Sequence, residues 1–143
     1  RRKEVVAMRA LDEIIIHCTG TVPSNSTTVE AVRRYHVKTL GWKDIGYHYL
    51  ITLDGKIHQG RPLDQAGAHT KNHNKTTVGI CYVGGLDENK KAKDTRTLQQ
   101  VAAIRQLVNA LKVCFPTIKK VSGHYMYDNK ACPCFDVKKE FGE

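Results

Sequence analysis

The sequence E-I-I-I-H at residues 13–17 is the feature that most limits what this chain can form. Three consecutive β-branched apolar residues between polar neighbours predict a short buried strand. The apolar run at residues 78–83 predicts a second buried strand of similar length. Buried strands interspersed with helical segments imply an α/β or α+β domain, in which helices pack on a small sheet.

The rest of the chain predicts helices and short strands. The helices follow from apolar residues at helical spacing, and a hairpin follows from the turn Asp54-Gly55. Ser26 or Thr27 would cap the first helix, with Glu30 placed to complete a capping box. The predicted elements are a helix at residues 29–40, a hairpin of residues 47–53 and 56–59, a helix at 97–115 with Leu98 on its apolar face, a strand at 121–124 and a helical turn at 135–141.

Length and composition indicate one globular domain. The chain has 143 residues, of which 41% are hydrophobic and 26% charged, as in soluble globular proteins with a single core. No apolar run approaches the roughly 18 residues of a membrane span. Residues 1–4, R-R-K-E, lack the apolar stretch of a signal peptide. We therefore expect a protein made in the cytoplasm, and a monomer.

The formal net charge of +9 concerns binding partners rather than the fold. Nucleic acid and an anionic cell wall are both possible partners. The excess of basic over acidic residues can also serve solubility alone. The combined aromatic and basic patterns of nucleic-acid-binding modules are missing. Nucleic acid is therefore not the expected partner.

Five cysteines are spread along the chain, and their odd number does not suggest a secreted disulfide framework. This pattern suits a reducing cytoplasm. Cys81 lies in an apolar run and Cys114 in a helical pattern. Both are predicted to be small core residues. His36, on the apolar stripe of the first helix, is predicted to be a packed histidine rather than a ligand.

Residues 123–136, G-H-Y-M-Y-D-N-K-A-C-P-C-F-D, concentrate metal-ligating side chains. Zinc binds neutral imidazole and thiolate, and a catalytic zinc keeps three protein ligands with the fourth position open. His124 and Cys132 can supply two ligands. His17, at the end of the first strand, is the candidate for the third. Cys134 adds a second thiol, which could compete for the metal or oxidise with Cys132.

Other catalytic arrangements fit less well. The chain has no H-E-x-x-H helix and lacks the C-x-x-C pattern of zinc deaminases. Cys18 could act as a nucleophile with a histidine. However, adjacent residues on a strand point to opposite faces. If His17 faces a cleft, Cys18 should face the core.

Three motifs together resemble a known family: I-I-I-H-C-T at residues 14–19, G-Y-H-Y-L at 46–50 and G-H-x7-C-P-x-F-D at 123–136. They resemble the zinc-dependent N-acetylmuramoyl-L-alanine amidases, which share a fold with peptidoglycan recognition proteins. The closest likeness is to the small lytic amidases of bacteriophages. The resemblance covers residues 12–138, the core of a single catalytic domain spanning 1–143. It implies an α/β fold with a central mixed β-sheet flanked by helices.

The resemblance also implies a function and residue roles. The protein would hydrolyse the amide between N-acetylmuramic acid and L-alanine in peptidoglycan, using Zn²⁺, and would act on the cell wall or in the periplasm. Tyr47 and Lys130 would be catalytic, and His69 in G-A-H-T would line the substrate groove. The chain departs from the phage enzymes at Cys134, where they carry serine. The alternative is a non-catalytic peptidoglycan-binding protein, but inactive relatives lack the thiolate ligand that Cys132 can supply here.

Overall fold

The structure is a computed structural model that describes residues 8–142. The expectation of a missing signal peptide concerns residues outside the described part of the chain. Element bounds agree with the predicted ones to within a few residues, and the largest difference is in the hairpin, whose strands are shorter. The elements in order are β1 (Glu13–Cys18), α1 (Val29–Arg34), a π-helical turn (Tyr35–Thr39), β2 (Tyr49–Ile51), β3 (Ile57–Gln59), β4 (Thr77–Tyr82), α2 (Leu98–Cys114), β5 (Lys120–Gly123), a 3₁₀ turn (His124–Met126) and α3 (Val137–Phe141).

The five strands found in residues 8–142 form one mixed sheet in the order β3-β2-β4-β1-β5. β1 lies parallel to both β4 and β5, β2 is parallel to β4, and only β3 runs antiparallel. This arrangement confirms the predicted mixed sheet with helices. The carboxyl ends of β1 and β5 meet at one edge of the sheet, because the two strands are parallel neighbours. Such edges are where open α/β sheets bind ligands.

The two faces of the sheet differ in chemistry, because strand residues alternate between faces. One face is apolar and belongs to the main core, which also includes the buried side of α2. It contains Ile14, Ile16, Cys18, Ile51, Val78, Ile80, Tyr82 and Val121. Cys18 therefore faces the core, as predicted. The opposite face carries the polar residues of β1, β4 and β5: Glu13, His17, Thr77 and Ser122, all buried.

Helix α2 is held to the sheet by a polar residue that the sequence pattern did not indicate. Thr97 and Gln100 form a capping box at its N-terminus. The Gln100 side chain is fully buried, and its Nε2 donates hydrogen bonds to the carbonyls of Ile51 and Val83. Leu98, predicted to lie on the apolar face, is instead 87% exposed. Leu98 comes two residues before the buried Gln100, which is about 200° around the helix, so its side chain lies on the side away from the sheet.

The N-cap of α1 is Thr28, so the prediction of Ser26 or Thr27 was wrong. The Thr28 hydroxyl accepts a hydrogen bond from the Ala31 amide at 3.1 Å, which satisfies one of the free amides of the first turn. The helical segment widens into a π-helical turn and ends at Leu40.

All five cysteines are free. Cys81 is completely buried, as predicted. Cys114 is exposed, and its assignment to the core was wrong. It is the last residue of α2, and the buried stretch of that helix ends one turn earlier, at Leu111. Within residues 8–142, neither α2 nor any shorter helix combines the length and apolarity that a membrane span requires.

Candidate functional site

The carboxyl ends of β1 and β5 bring together three of the predicted site residues. Ile16 pairs with Gly123 across the two strands, so the next residues, His17 and His124, lie side by side with ring centroids 4.6 Å apart. Cys132 follows on the loop after β5. One ligand atom from each of His17, His124 and Cys132 lies within 4.8 Å of the others. The structure therefore assembles a candidate metal centre from the residues that the sequence indicated.

Neighbouring groups hold the two residues of the last segment in place. The Cys132 Sγ accepts a hydrogen bond from the backbone N–H of Cys18 at 3.2 Å. The Cys132 carbonyl accepts another from the Tyr125 amide at 2.8 Å. His124 Nε2 lies 3.4 Å from a carboxylate oxygen of Asp128. These contacts support the kind of restrained donor geometry that a metal site needs.

Burial and nearby positive groups favour the neutral form of both histidines. Burial lowers the pKa of His17 well below its ordinary value, and the nearby His69, His124 and Lys130 lower it further. The pKa of His124 is lowered mainly by burial and next by the positive charge of Lys130. The carboxylate of Asp128 raises it by a smaller amount. Neutral imidazole is the form that binds a metal ion.

His69 lies directly behind His17. Its Nδ1 is 2.9 Å from His17 Nε2, and its Nε2 is 3.3 Å from the Thr77 hydroxyl. The ring rests on Gly79, where a Cβ would lie only 2.5 Å from His69 Cδ2, so a side chain at position 79 would displace it. Both ring nitrogens of His69 thus have protein partners. The predicted contact of His69 with substrate stays a prediction.

Tyr47 and Lys130 complete the surroundings of the donor group. The Tyr47 ring centroid is 5.3 Å from that of His17, and burial raises the pKa of its phenol well above the ordinary value. Tyr47 lies just before β2 rather than inside it. The Lys130 side chain is exposed. One cavity of about 280 Å³ is lined by all six predicted site residues: His17, Tyr47, His69, His124, Lys130 and Cys132.

Two further cavities adjoin this central one and share residues with it. A cavity of about 480 Å³ shares Tyr47 and is lined by hydroxyl groups and by Tyr35, which is 54% exposed. A cavity of about 390 Å³ shares Lys130 and includes Lys71 and Asn74. The three together form a groove with the candidate metal centre in the middle.

Cys134 does not join the donor group. Its Sγ lies 3.4 Å from the Gly85 carbonyl and 4.0 Å from the Cys18 Sγ, on the core side of the chain. It is absent from the central cavity and from the group of three donor residues found within residues 8–142. The turn between Cys132 and Cys134 points the two thiols in different directions.

His36 is a packed histidine, as predicted. Its Nδ1 accepts a hydrogen bond from the Gly46 amide at 2.9 Å, and its ring contacts Trp42. Sequence reasoning missed several residues that touch the site, namely Trp42, Thr70, Thr77 and Asp128. Two of them carried a signal. Thr77 opens a buried strand, and Asp128 follows His124 by four residues.

The chain is similar over most of its length to bacteriophage endolysins, to peptidoglycan-recognition proteins and to an amidase of known structure. The sequence profile of the N-acetylmuramoyl-L-alanine amidase family matches residues 7–135. The endolysin of Klebsiella phage KP32 is 39% identical over 89% of this chain and 83% of its own length. Peptidoglycan-recognition protein SC2 of Drosophila melanogaster is 32% identical over 89% of this chain and 70% of its own length. The structure of the endolysin amidase LysCS from Clostridium intestinale superposes with a TM-score of 0.77 and 27% identity, covering 96% of this chain and 92% of that one. The protein described here belongs to the N-acetylmuramoyl-L-alanine amidase family.

Proposed function

We propose that this protein is a zinc-dependent amidase that hydrolyses the bond between N-acetylmuramic acid and L-alanine in bacterial peptidoglycan. The observation that carries the proposal is the group of three donors at the sheet edge, His17, His124 and Cys132, with ligand atoms within 4.8 Å. Membership of the amidase family supports the reaction. Its endolysin relatives support a role as a lytic enzyme acting on the cell wall.

The donor set suits zinc better than a hard cation. Two imidazoles and a thiolate are typical zinc ligands, whereas magnesium and calcium prefer oxygen. Three protein ligands leave a fourth position for water, as in catalytic rather than structural zinc sites. Bound there, zinc would supply a Lewis acid that polarises the lactyl carbonyl and activates water for attack.

Tyr47 would act as a hydrogen-bond donor to the oxyanion that develops on the scissile carbonyl. Its ring borders the same cavity as the donor group. Since burial raises the phenol pKa, the hydroxyl keeps its proton at neutral pH. A protonated phenol in a partly dry cavity can stabilise developing negative charge. It can also pass a proton towards the departing amine.

Lys130 would add a positive charge on the other side of the reacting carbonyl. Lys130 lies two residues before Cys132 on the loop after β5. One loop therefore carries both the positive charge and one candidate metal ligand. Electrostatic stabilisation of a developing oxyanion requires such a charge close to the reacting atoms. Zinc peptidases often use a glutamate as base, and among residues 8–142 no glutamate lines the three cavities described above.

The groove would hold the substrate with its amide bond in the central cavity. The cavity with Lys71 and Lys130 suits the carboxylates of a peptide stem, because it offers cationic groups. The cavity lined by hydroxyl groups and Tyr35 suits a sugar ring, which uses hydrogen bonds and aromatic contact. This orientation places the two halves of the substrate on opposite sides of the donor group.

Digestion of purified peptidoglycan followed by mass spectrometry tests the proposal. We expect free stem peptides that begin with L-alanine, and their loss after treatment with a chelator and return after zinc is added. New reducing sugar ends would instead identify a glycosidase. Full activity of a protein shown by elemental analysis to be metal-free would refute the zinc dependence.

A second candidate is a protein that binds peptidoglycan without cleaving it, because the chain is also similar to a peptidoglycan-recognition protein. The same material distinguishes the two. Cosedimentation with insoluble peptidoglycan and no new peptide ends would favour the binding protein. The presence of Cys132, the third donor, favours the enzyme.

A further inference from the structure

A line of hydrogen bonds runs from His17 away from the central cavity and ends at a backbone carbonyl. His17 Nε2 lies 2.9 Å from His69 Nδ1, and His69 Nε2 lies 3.3 Å from Thr77 Oγ1. Thr77 Oγ1 lies 2.6 Å from the carbonyl oxygen of His73. The three side chains are buried, with exposed fractions of 1%, 8% and 1%. Water therefore competes little for these bonds.

The carbonyl fixes the direction of the whole line. The His73 oxygen can only accept, so Thr77 donates its single hydroxyl hydrogen to it. The Thr77 oxygen must then accept from the Nε2–H of His69. A neutral imidazole carries one N–H, so His69 Nδ1 is unprotonated and accepts in turn. Its partner at 2.9 Å, His17 Nε2, must be the donor.

Thr70 fits the same direction. Its hydroxyl oxygen lies 2.9 Å from His69 Nδ1 and 3.2 Å from His17 Nε2. The Thr70 oxygen can accept part of the hydrogen bond from His17 Nε2–H, which is consistent with His17 as the donor. Both rings are buried, and within residues 8–142 neither has a carboxylate among its hydrogen-bond partners, which favours the neutral form of each.

We propose that Thr77 and His69 are positioning residues that hold His17 as the Nε2–H tautomer, leaving its Nδ1 lone pair for the metal ion. The inference rests on the proposed metal site. Histidine ligands usually donate their second ring N–H to an acceptor, which fixes tautomer and ring orientation. Here that acceptor is another histidine, and its own tautomer is set by a threonine and a carbonyl. The orientation therefore exists before any metal binds.

Nitrogen-15 NMR of histidine-labelled, metal-free protein at neutral pH tests the tautomer directly. Protonated and unprotonated ring nitrogens have well-separated shifts, so the spectrum reads each ring without any activity measurement. We expect His17 and His69 both as Nε2–H tautomers. A His17 ring protonated on Nδ1 would overturn the proposal, whatever the variants do.

Two substitutions at Thr77 distinguish the effect of losing its hydroxyl from the effect of changing its side-chain volume. Thr77→Val keeps the shape and removes the hydroxyl, whereas Thr77→Ser keeps the hydroxyl. We expect Thr77→Val to produce a mixture of His17 tautomers and to weaken zinc binding by about 10-fold, the lower end of the effect of losing a ligand's own partner, because Thr77 acts through His69. Thr77→Ser should stay close to the wild type in both measurements.

Thr117→Val is the matched control, because the Thr117 hydroxyl also donates to a carbonyl, that of Leu11, away from the site. It should leave the His17 spectrum and zinc affinity unchanged. A single Nε2–H tautomer and full zinc affinity in Thr77→Val would overturn the positioning role. If the wild-type spectrum shows the expected tautomers but the protein binds no zinc, the metal proposal fails while the hydrogen-bond assignment stands.

Discussion

The two faces of the central sheet are both buried but are built from different chemistry. The face in the main core is a set of aliphatic side chains together with Tyr82. The opposite face carries the polar residues Glu13, His17, Thr77 and Ser122 next to a smaller apolar cluster that includes Leu50 and Cys81. Glu13 accepts hydrogen bonds from Ser122 and Tyr127. Within residues 8–142, no buried side-chain nitrogen or oxygen lacks a hydrogen-bond partner.

The contrast between the two faces separates the residues that stabilise the fold from those that serve metal binding and catalysis. Apolar packing tolerates exchange of one side chain for another of similar volume. A buried polar network does not, because each group left without a partner costs free energy. The apolar face should therefore control folding, and the polar face should control metal binding and catalysis. Substitutions on the two faces should have separable effects.

The largest effect should follow from removing a metal ligand on the polar side. Cys132→Ser replaces a thiolate by a neutral hydroxyl, so we expect loss of zinc by elemental analysis and loss of amidase activity. Cys134→Ser is the matched control, because that thiol faces Gly85 and the core. It should keep the zinc. Full zinc and activity in Cys132→Ser would remove Cys132 from the site.

A substitution in the core should change stability and leave the chemistry intact. Ile104 in α2 is completely buried, and Ile104→Ala should lower the free energy of unfolding by about 2–5 kcal/mol. Thermal and denaturant unfolding measure this loss. Well below the melting temperature, kcat and zinc content should equal those of the wild type. A large fall in kcat of the folded variant would show that the faces are coupled.

Removing a polar group at the cavity should lower activity without changing stability or zinc content. We expect Tyr47→Phe and Lys130→Ala each to lower kcat by roughly a hundredfold or more, the usual cost of one oxyanion donor. Tyr49→Phe, on the core face, and Lys138→Ala, in α3, are the respective controls. Wild-type turnover in Tyr47→Phe or Lys130→Ala would refute these roles.

The smallest effect should come from the net charge of +9, which belongs to neither face. At low salt this charge should speed the encounter of the protein with the anionic cell wall. At about 0.15 M salt the screening length falls to roughly 8 Å, so distant charges contribute less. The apparent KM on intact wall should rise with salt while kcat stays constant. Small soluble muropeptides should respond less. An equal fall of kcat on both substrates would place the effect at the active site instead.

Much of this protein follows from local sequence. The strand at residues 13–17 and the long helix were recognisable, because hydrophobic periodicity is a local property. The candidate ligands His17, His124 and Cys132 were indicated by their residue types and by motifs that resemble the amidase family. The packed His36 and the core-facing Cys18 followed from the same periodicity.

Contacts between polar groups that are distant in the sequence depend on the tertiary structure. His17 and His69 are 52 positions apart, and the parallel register of β1 with β4 places Thr77 beside Glu13 on the same face. The hydrophobic periodicity of α2 likewise did not predict that Gln100 is buried or that Leu98 and Cys114 are exposed. These exposures depend on how α2 is rotated against the sheet and on where its contact with the sheet ends. Sequence patterns state which residues prefer to be buried, whereas hydrogen-bond partners are fixed by strand register and loop closure, which only the folded chain specifies.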